Sequence, residues 1–123
     1  MILYDGTYRM KNVTSEALSF IANFLTDDVQ YIGFESYKSW INDSNQQTVS
    51  CNRSFLDKFE GMIYIRDLYD EDCGILEDRF LVVSPENLLE IIDHWEKFCK
   101  TKPAQITIIM DENGYIQLLP SNT

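Results

Sequence analysis

His94 is the single histidine of a 123-residue chain, and Cys51, Cys73 and Cys99 are its only thiols. Acid–base or nucleophilic catalysis built from these would need a partner within hydrogen-bond reach of the proton that moves. Cys99 stands five positions after His94, whereas neighbours on a helix lie three or four apart, so the two face different ways. Glu90, four positions before His94, or solvent is the simpler partner for it. A nucleophile drawn from Cys51 or Cys73 would have to use the same histidine, and no local signature accompanies either thiol. The cysteines form no CxxC pair and no zinc spacing.

Carboxylates are the other chemistry-bearing groups. Asp67, Asp70, Glu71, Asp72, Glu77, Asp78, Glu86, Glu90, Asp93 and Glu96 fall between Arg66 and Glu96, opposed only by Arg66 and Arg79. That local balance of −8 is most of the chain's −10. Asp70-Glu71-Asp72-Cys73-Gly74 invites comparison with a calcium loop, which needs ligands at positions one, three and five, glycine at six and glutamate at twelve. Counting from Asp70, glycine falls at five and Leu81 at twelve, so the register fails. Paired carboxylates could serve a hydrolase, but any acid-rich chain offers such pairs. The five glycines are scattered and make no phosphate-binding loop. No metal or cofactor is expected.

The acidity therefore points to a surface. A pI near 4.3 opposes binding to nucleic acid, whose phosphates require clustered Lys and Arg, and to anionic membranes for the same reason. A basic protein partner is favoured, because opposite potentials speed encounter. The apolar share of 45% and charged share of 24% are those of an ordinary globule. The length fits one domain spanning 1–123. Three unpaired thiols, a start without a basic region or cleavage site, and no apolar stretch of spanning length give the expectation of a cytosolic protein.

Several elements must hold these groups. Residues 1–11 read as a hairpin about Asp5-Gly6. A helix over about 14–26 is expected, capped by Thr14, stapled by Val13 and Leu18, and carrying Ala17, Leu18, Ile21, Phe24 and Leu25 on one face. Asp27-Asp28 should end it, since acids are unfavourable at a helix C-terminus. Short helices are expected within 34–60: one on Phe34, Tyr37, Trp40 and Ile41, and a turn carrying Phe55, Leu56 and Phe59 that stops at Gly61. Asn42 to Ser54 reads as loop apart from Val49 and Cys51. Strands over Met62–Leu68 and Ile75–Val83 would place the acidic run at a hairpin tip. Ser84, Pro85 and Glu86 start a helix over about 85–101, with Leu88, Ile91, Ile92, Trp95 and Cys99 on its core stripe and Pro103 beyond its end. Asp93–Lys97 and Glu96–Lys100 have the i, i+4 spacing of favourable pairs. Gln105–Met110 and Tyr115–Leu119 read as strands about Asp111-Glu112-Asn113-Gly114. The class is α+β, a mainly antiparallel sheet of about four to six strands with helices on one face.

From Leu81 through the helix to Lys102-Pro103 and on to Asp111-Glu-Asn-Gly114, with Ile2-Leu-Tyr-Asp-Gly6 at the start, the chain resembles small bacterial immunity proteins of polymorphic-toxin and contact-dependent-inhibition systems. The resemblance covers about a third of the chain. It implies a cytosolic, non-enzymatic protein that binds and blocks one toxin domain, and it carries over no site residues. The charge supplies the candidate surface: Asp67, Tyr69, Asp70, Glu71, Asp72, Glu77 and Asp78, set against the basic active-site cleft of a toxin such as a nuclease. Glu86, Glu90 and Asp93 would extend it. The alternatives are an acidic adaptor for another basic protein and, last, a small hydrolase.

Overall fold

The computed structural model describes residues 2–5, 7–10, 16–51, 53–67 and 80–121. Among these, eight strands form two four-stranded antiparallel sheets. The first sheet joins the two ends of the chain. Strand β1 (Ile2–Asp5) pairs with β2 (Thr7–Met10), as Asp5-Gly6 predicts, and on its other side with β7 (Gln105–Met110), which pairs with β8 (Ile116–Ser121). The second sheet runs β3 (Thr48–Ser50), β4 (Ser54–Phe59), β5 (Met62–Asp67), β6 (Leu81–Val83) in chain order. The α+β class and the antiparallel pairing expected from sequence hold. The strands divide between two sheets because the N-terminal hairpin adds to β7 rather than to β5 and β6.

The segment 55–59 is a correction. It was expected to form a helical turn, and it is a central strand. Ser54 and Leu56 are buried while Phe55 and Asp57 face outward, the period of two that a strand requires. Glu60 (φ 51°) and Gly61 (φ 80°) form the two-residue turn between Phe59 and Met62. Positive φ at both central positions is the hairpin geometry that matches strand twist. Gly61 is thus a turn residue, not a helix cap. Thr48–Ser50, read as loop, pairs with Phe55–Asp57.

The first helix also departs from expectation. It begins α-helical over Glu16–Asn23, widens to a π-helix over Phe24–Val29, and closes with Gln30–Ile32; the whole is α1. Asp27 and Asp28 do not end it. Asp28 is fully buried, and its carboxylate accepts from the backbone N–H of Arg53 at 2.8 Å and of Ser54 at 3.1 Å. Two such bonds in a water-poor site outweigh an unfavourable end dipole. The Thr26 hydroxyl donates back to the Ala22 carbonyl at 2.9 Å, and the Gln30 side chain donates to the Thr26 carbonyl at 2.9 Å, so carbonyls of the wide turn gain side-chain donors. The expected start of this helix, with Thr14 and Val13, lies outside the described residues.

Helix α2 (Phe34–Asn42) follows Gly33, whose φ of 122° reverses the chain. Tyr37, Trp40 and Ile41 are buried, which assigns Trp40 to the core. Lys58 closes the end of α2: its ammonium donates to the carbonyls of Trp40 and Asp43 and lies 4.4 Å from the Trp40 ring centre. Helix α3 (Pro85–Thr101) begins as expected, with the Ser84 hydroxyl accepting from the Asn87 N–H at 3.1 Å. It ends at Lys102, left-handed at φ 54°, before Pro103.

One core unites these parts. Helix α1 touches β5 and β6 of one sheet and β2 and β7 of the other. It is accordingly buried without a break from Phe20 to Thr26. Helix α3 packs on β8 and α2, setting Leu88, Ile91, Ile92 and Trp95 against the same core. No helix among the described residues is long and apolar enough to cross a membrane.

Candidate functional site

Of the surface expected to bind a partner, Asp67 lies at the last position of β5, opposite Ser54 of β4. Tyr69, Asp70, Glu71, Asp72, Glu77 and Asp78 lie outside the described residues. Strands β5 and β6 pair antiparallel, Ile63 with Val83 and Ile65 with Leu81. The expected hairpin therefore exists over its described length, with the acidic run joining its two arms. The chain leaves for that run at the Asp67 end of the strand pair and enters α3 beyond Val83, at the other end. The helix carboxylates thus begin from the far end of β6.

Those helix carboxylates have partners of their own. Glu86, Glu90 and Asp93 are exposed. Asp93 is met by Lys38 of α2 at 2.6 Å, and the same ammonium lies 3.7 Å from Glu96 and 3.8 Å from Glu35. These cross-helix contacts, and not the i, i+4 pairs with Lys97 and Lys100, are the ion pairs of Asp93 and Glu96. The Asp93 bond is the chief reason the Lys38 pKa is raised. Glu90 accepts from the Tyr115 hydroxyl. His94 is exposed beside Phe98, with ring centres 6.4 Å apart.

Beside Glu90 the surface is concave. A groove of about 370 Å³ lies between the β5–β6 edge of the second sheet and the β7–β8 turn of the first. Met62, Val82, Ser84, Asn87, Gly114 and Tyr115 line it. Two hydrogen-bonded devices shape its sides. The buried Asn87 side chain donates to the Ile116 carbonyl at 3.0 Å and accepts from the Ile116 N–H at 2.9 Å, taking the place of a neighbouring strand at the edge of β8. Asp111 folds the turn, accepting from the N–H groups of Asn113 at 2.8 Å and Tyr115 at 2.9 Å. Gly114, at φ 83°, completes that turn. Sequence reading recognised the turn and the helix cap separately. It missed the groove between them, because nothing local tells that Asn87 reaches residue 116.

The outer face of the second sheet is aromatic. Tyr64 packs against Phe80, ring centres 4.9 Å apart, and edge-on to Phe59 at 6.1 Å. Arg66 lies over both Tyr64 and Phe80, at 5.5 and 5.4 Å, and 3.9 Å from Asp57. Phe59 is 53% exposed.

The described thiols are structural in character. Burial pushes the Cys51 pKa up to about 11, against a smaller opposing effect from the Tyr37 hydroxyl that donates to it, and burial does the same for Cys99. Neither is a ready nucleophile at neutral pH. Among the described residues, no three His, Cys, Asp or Glu side chains gather to hold a metal. No family model matches this chain, and neither a curated protein nor a solved structure matches it.

Proposed function

We propose that this chain is an immunity protein: it binds a cognate bacterial toxin domain and neutralises it by covering a basic active-site cleft. The observation that carries this reading is the −8 balance between Arg66 and Glu96 in the sequence; the aromatic outer face of the second sheet, with Phe59 exposed, adds to its support. Surface aromatic groups and a field of one sign are both features of protein-binding sites: aromatic anchors hold, and charge steers. The resemblance of 81–114 to immunity proteins supports the same reading. Asp67, Tyr69, Asp70, Glu71, Asp72, Glu77 and Asp78 would form the charged part of the interface. Mutual repulsion among Asp70, Glu71 and Asp72 would be relieved by a partner's Lys and Arg.

Co-expression is the test. The toxin domain encoded by the gene immediately upstream should arrest growth alone and not with this chain present. Failure to protect against that toxin would remove the reading. Charge reversal of Asp70, Glu71 and Asp72 together should slow association and flatten its salt dependence. Unchanged association would move the interface off this segment.

A further inference from the structure

Resting on the reading that the partner is a basic protein, we infer that the groove between β6 and the β7–β8 turn is a receptor for one arginine side chain of that partner. Three features select that occupant. Its lining includes Met62 and Val82, apolar surface along which the aliphatic part of a long side chain can lie. It also includes the exposed Tyr115, whose ring can take a guanidinium, and the polar groups of Ser84 and Asn113. The charge is of one sign: Glu90 sits on the Tyr115 hydroxyl, Asp111 on its N–H, and Glu86 and Glu112 are exposed on the helix turn and chain turn that frame the groove. No Lys or Arg lines it. A planar guanidinium with five donors suits a carboxylate beside an aromatic ring better than a compact ammonium does. The walls are set before binding, because Asn87 and Asp111 lock both sides through backbone hydrogen bonds. Little ordering cost would oppose entry.

The test uses the full chain and needs no toxin. Nα-acetyl-arginine methylamide is titrated into ¹⁵N-labelled protein, with the norleucine analogue as control. Arginine should shift the amides of Asn113, Gly114, Tyr115 and Asn87 together, and norleucine should not. Glu90→Gln, which keeps an acceptor for Tyr115, should weaken the arginine titration about threefold, and Glu86→Gln by somewhat less, each with an otherwise unchanged spectrum. Equal shifts from norleucine, or arginine shifts spread over the acidic surface without focus on these amides, would overturn the proposal. The outcome is separable from that of the co-expression test. Arginine binding in the groove without growth protection would leave the receptor and sink the toxin reading. Protection without groove binding would do the reverse.

Discussion

Two carboxylates in this molecule do the same local chemistry in opposite settings. Asp28 and Asp111 each accept from two backbone N–H groups, at 2.8 and 3.1 Å for the first and 2.8 and 2.9 Å for the second. Asp28 is fully buried in the π-helical turn of α1, and its donors, Arg53 and Ser54 at the start of β4, stand 25 and 26 residues away. Asp111 is exposed, and its donors lie two and four residues along the same turn. The first ties α1 to the start of β4 across the core. The second shapes the rim of an open groove. Similar bond lengths thus say little about energetic weight. What decides is whether water can replace the lost acceptor.

The largest effect should therefore follow Asp28→Ala. It strands the N–H groups of Arg53 and Ser54 where water does not reach, and should cost about 3 kcal/mol. Urea unfolding should show the midpoint fall at constant slope. A loss below about 1 kcal/mol would break the contrast, by showing that solvent reaches the π-helical turn. Next comes Asn87→Ala. It leaves the buried Ile116 N–H and C=O, on the edge strand β8, without the Asn87 partner and should cost about 2 kcal/mol by the same measurement. Uncapping that strand edge should also raise self-association, read by sedimentation at increasing concentration.

Lys58→Met probes a cation placed between those extremes. Its ammonium supplies donors to the Trp40 and Asp43 carbonyls at the negative end of α2 and lies over the Trp40 ring. Methionine keeps the stem and loses the charge, so the loss should be about 1–2 kcal/mol. Added salt should close little of the gap to the parent protein if the site is as sheltered as its partners imply.

The contrast also explains what the sequence could disclose. Helix α3 is legible because everything that makes it is local: Ser84 at the cap, Pro85 after it, apolar residues at helical spacing, Pro103 past the end. The Asp111–Gly114 hairpin is legible for the same reason. Helix α1 is misread at Asp27-Asp28 because the donors that hold Asp28 stand 25 residues on, and no pattern within a helix announces them. The 54–59 strand is misread because Phe55, Leu56 and Phe59 fit a helical turn nearly as well as an alternating strand. The deciding residues are Glu60-Gly61, a two-residue hairpin turn. The groove was hidden because it joins an edge of each sheet through Asn87, whose type at a third helical position is unremarkable.

Alkaline titration reaches the same core from another side. The Cys51 and Cys99 pKa values rise from 9.0 to about 11 through burial, and that of Tyr37 rises as well. The fold favours the neutral thiol, so this contribution is fully present below pH 9 and is lost as pH rises through about 11. Unfolding free energy measured from pH 8.5 to 11 should slope downward, and Cys51→Ala should make the slope shallower. An unchanged slope in that variant would show that Cys51 titrates in the fold as it does in the open chain.

The smallest effect should come from Asp111→Ala, and there the comparison becomes functional. Water can satisfy the Asn113 and Tyr115 N–H groups, so stability should fall by no more than about 1 kcal/mol. Tyr115 should nevertheless lose its set position, because its N–H anchor is gone while its hydroxyl remains on Glu90. Amide exchange at Asn113, Gly114 and Tyr115 should quicken, while exchange at Arg53 and Ser54 stays as in the parent. Arginine titration of this variant should weaken more than its small stability loss accounts for. If the two change in proportion, the groove is only a by-product of the turn; if binding falls further, Asp111 is there to hold the receptor in shape.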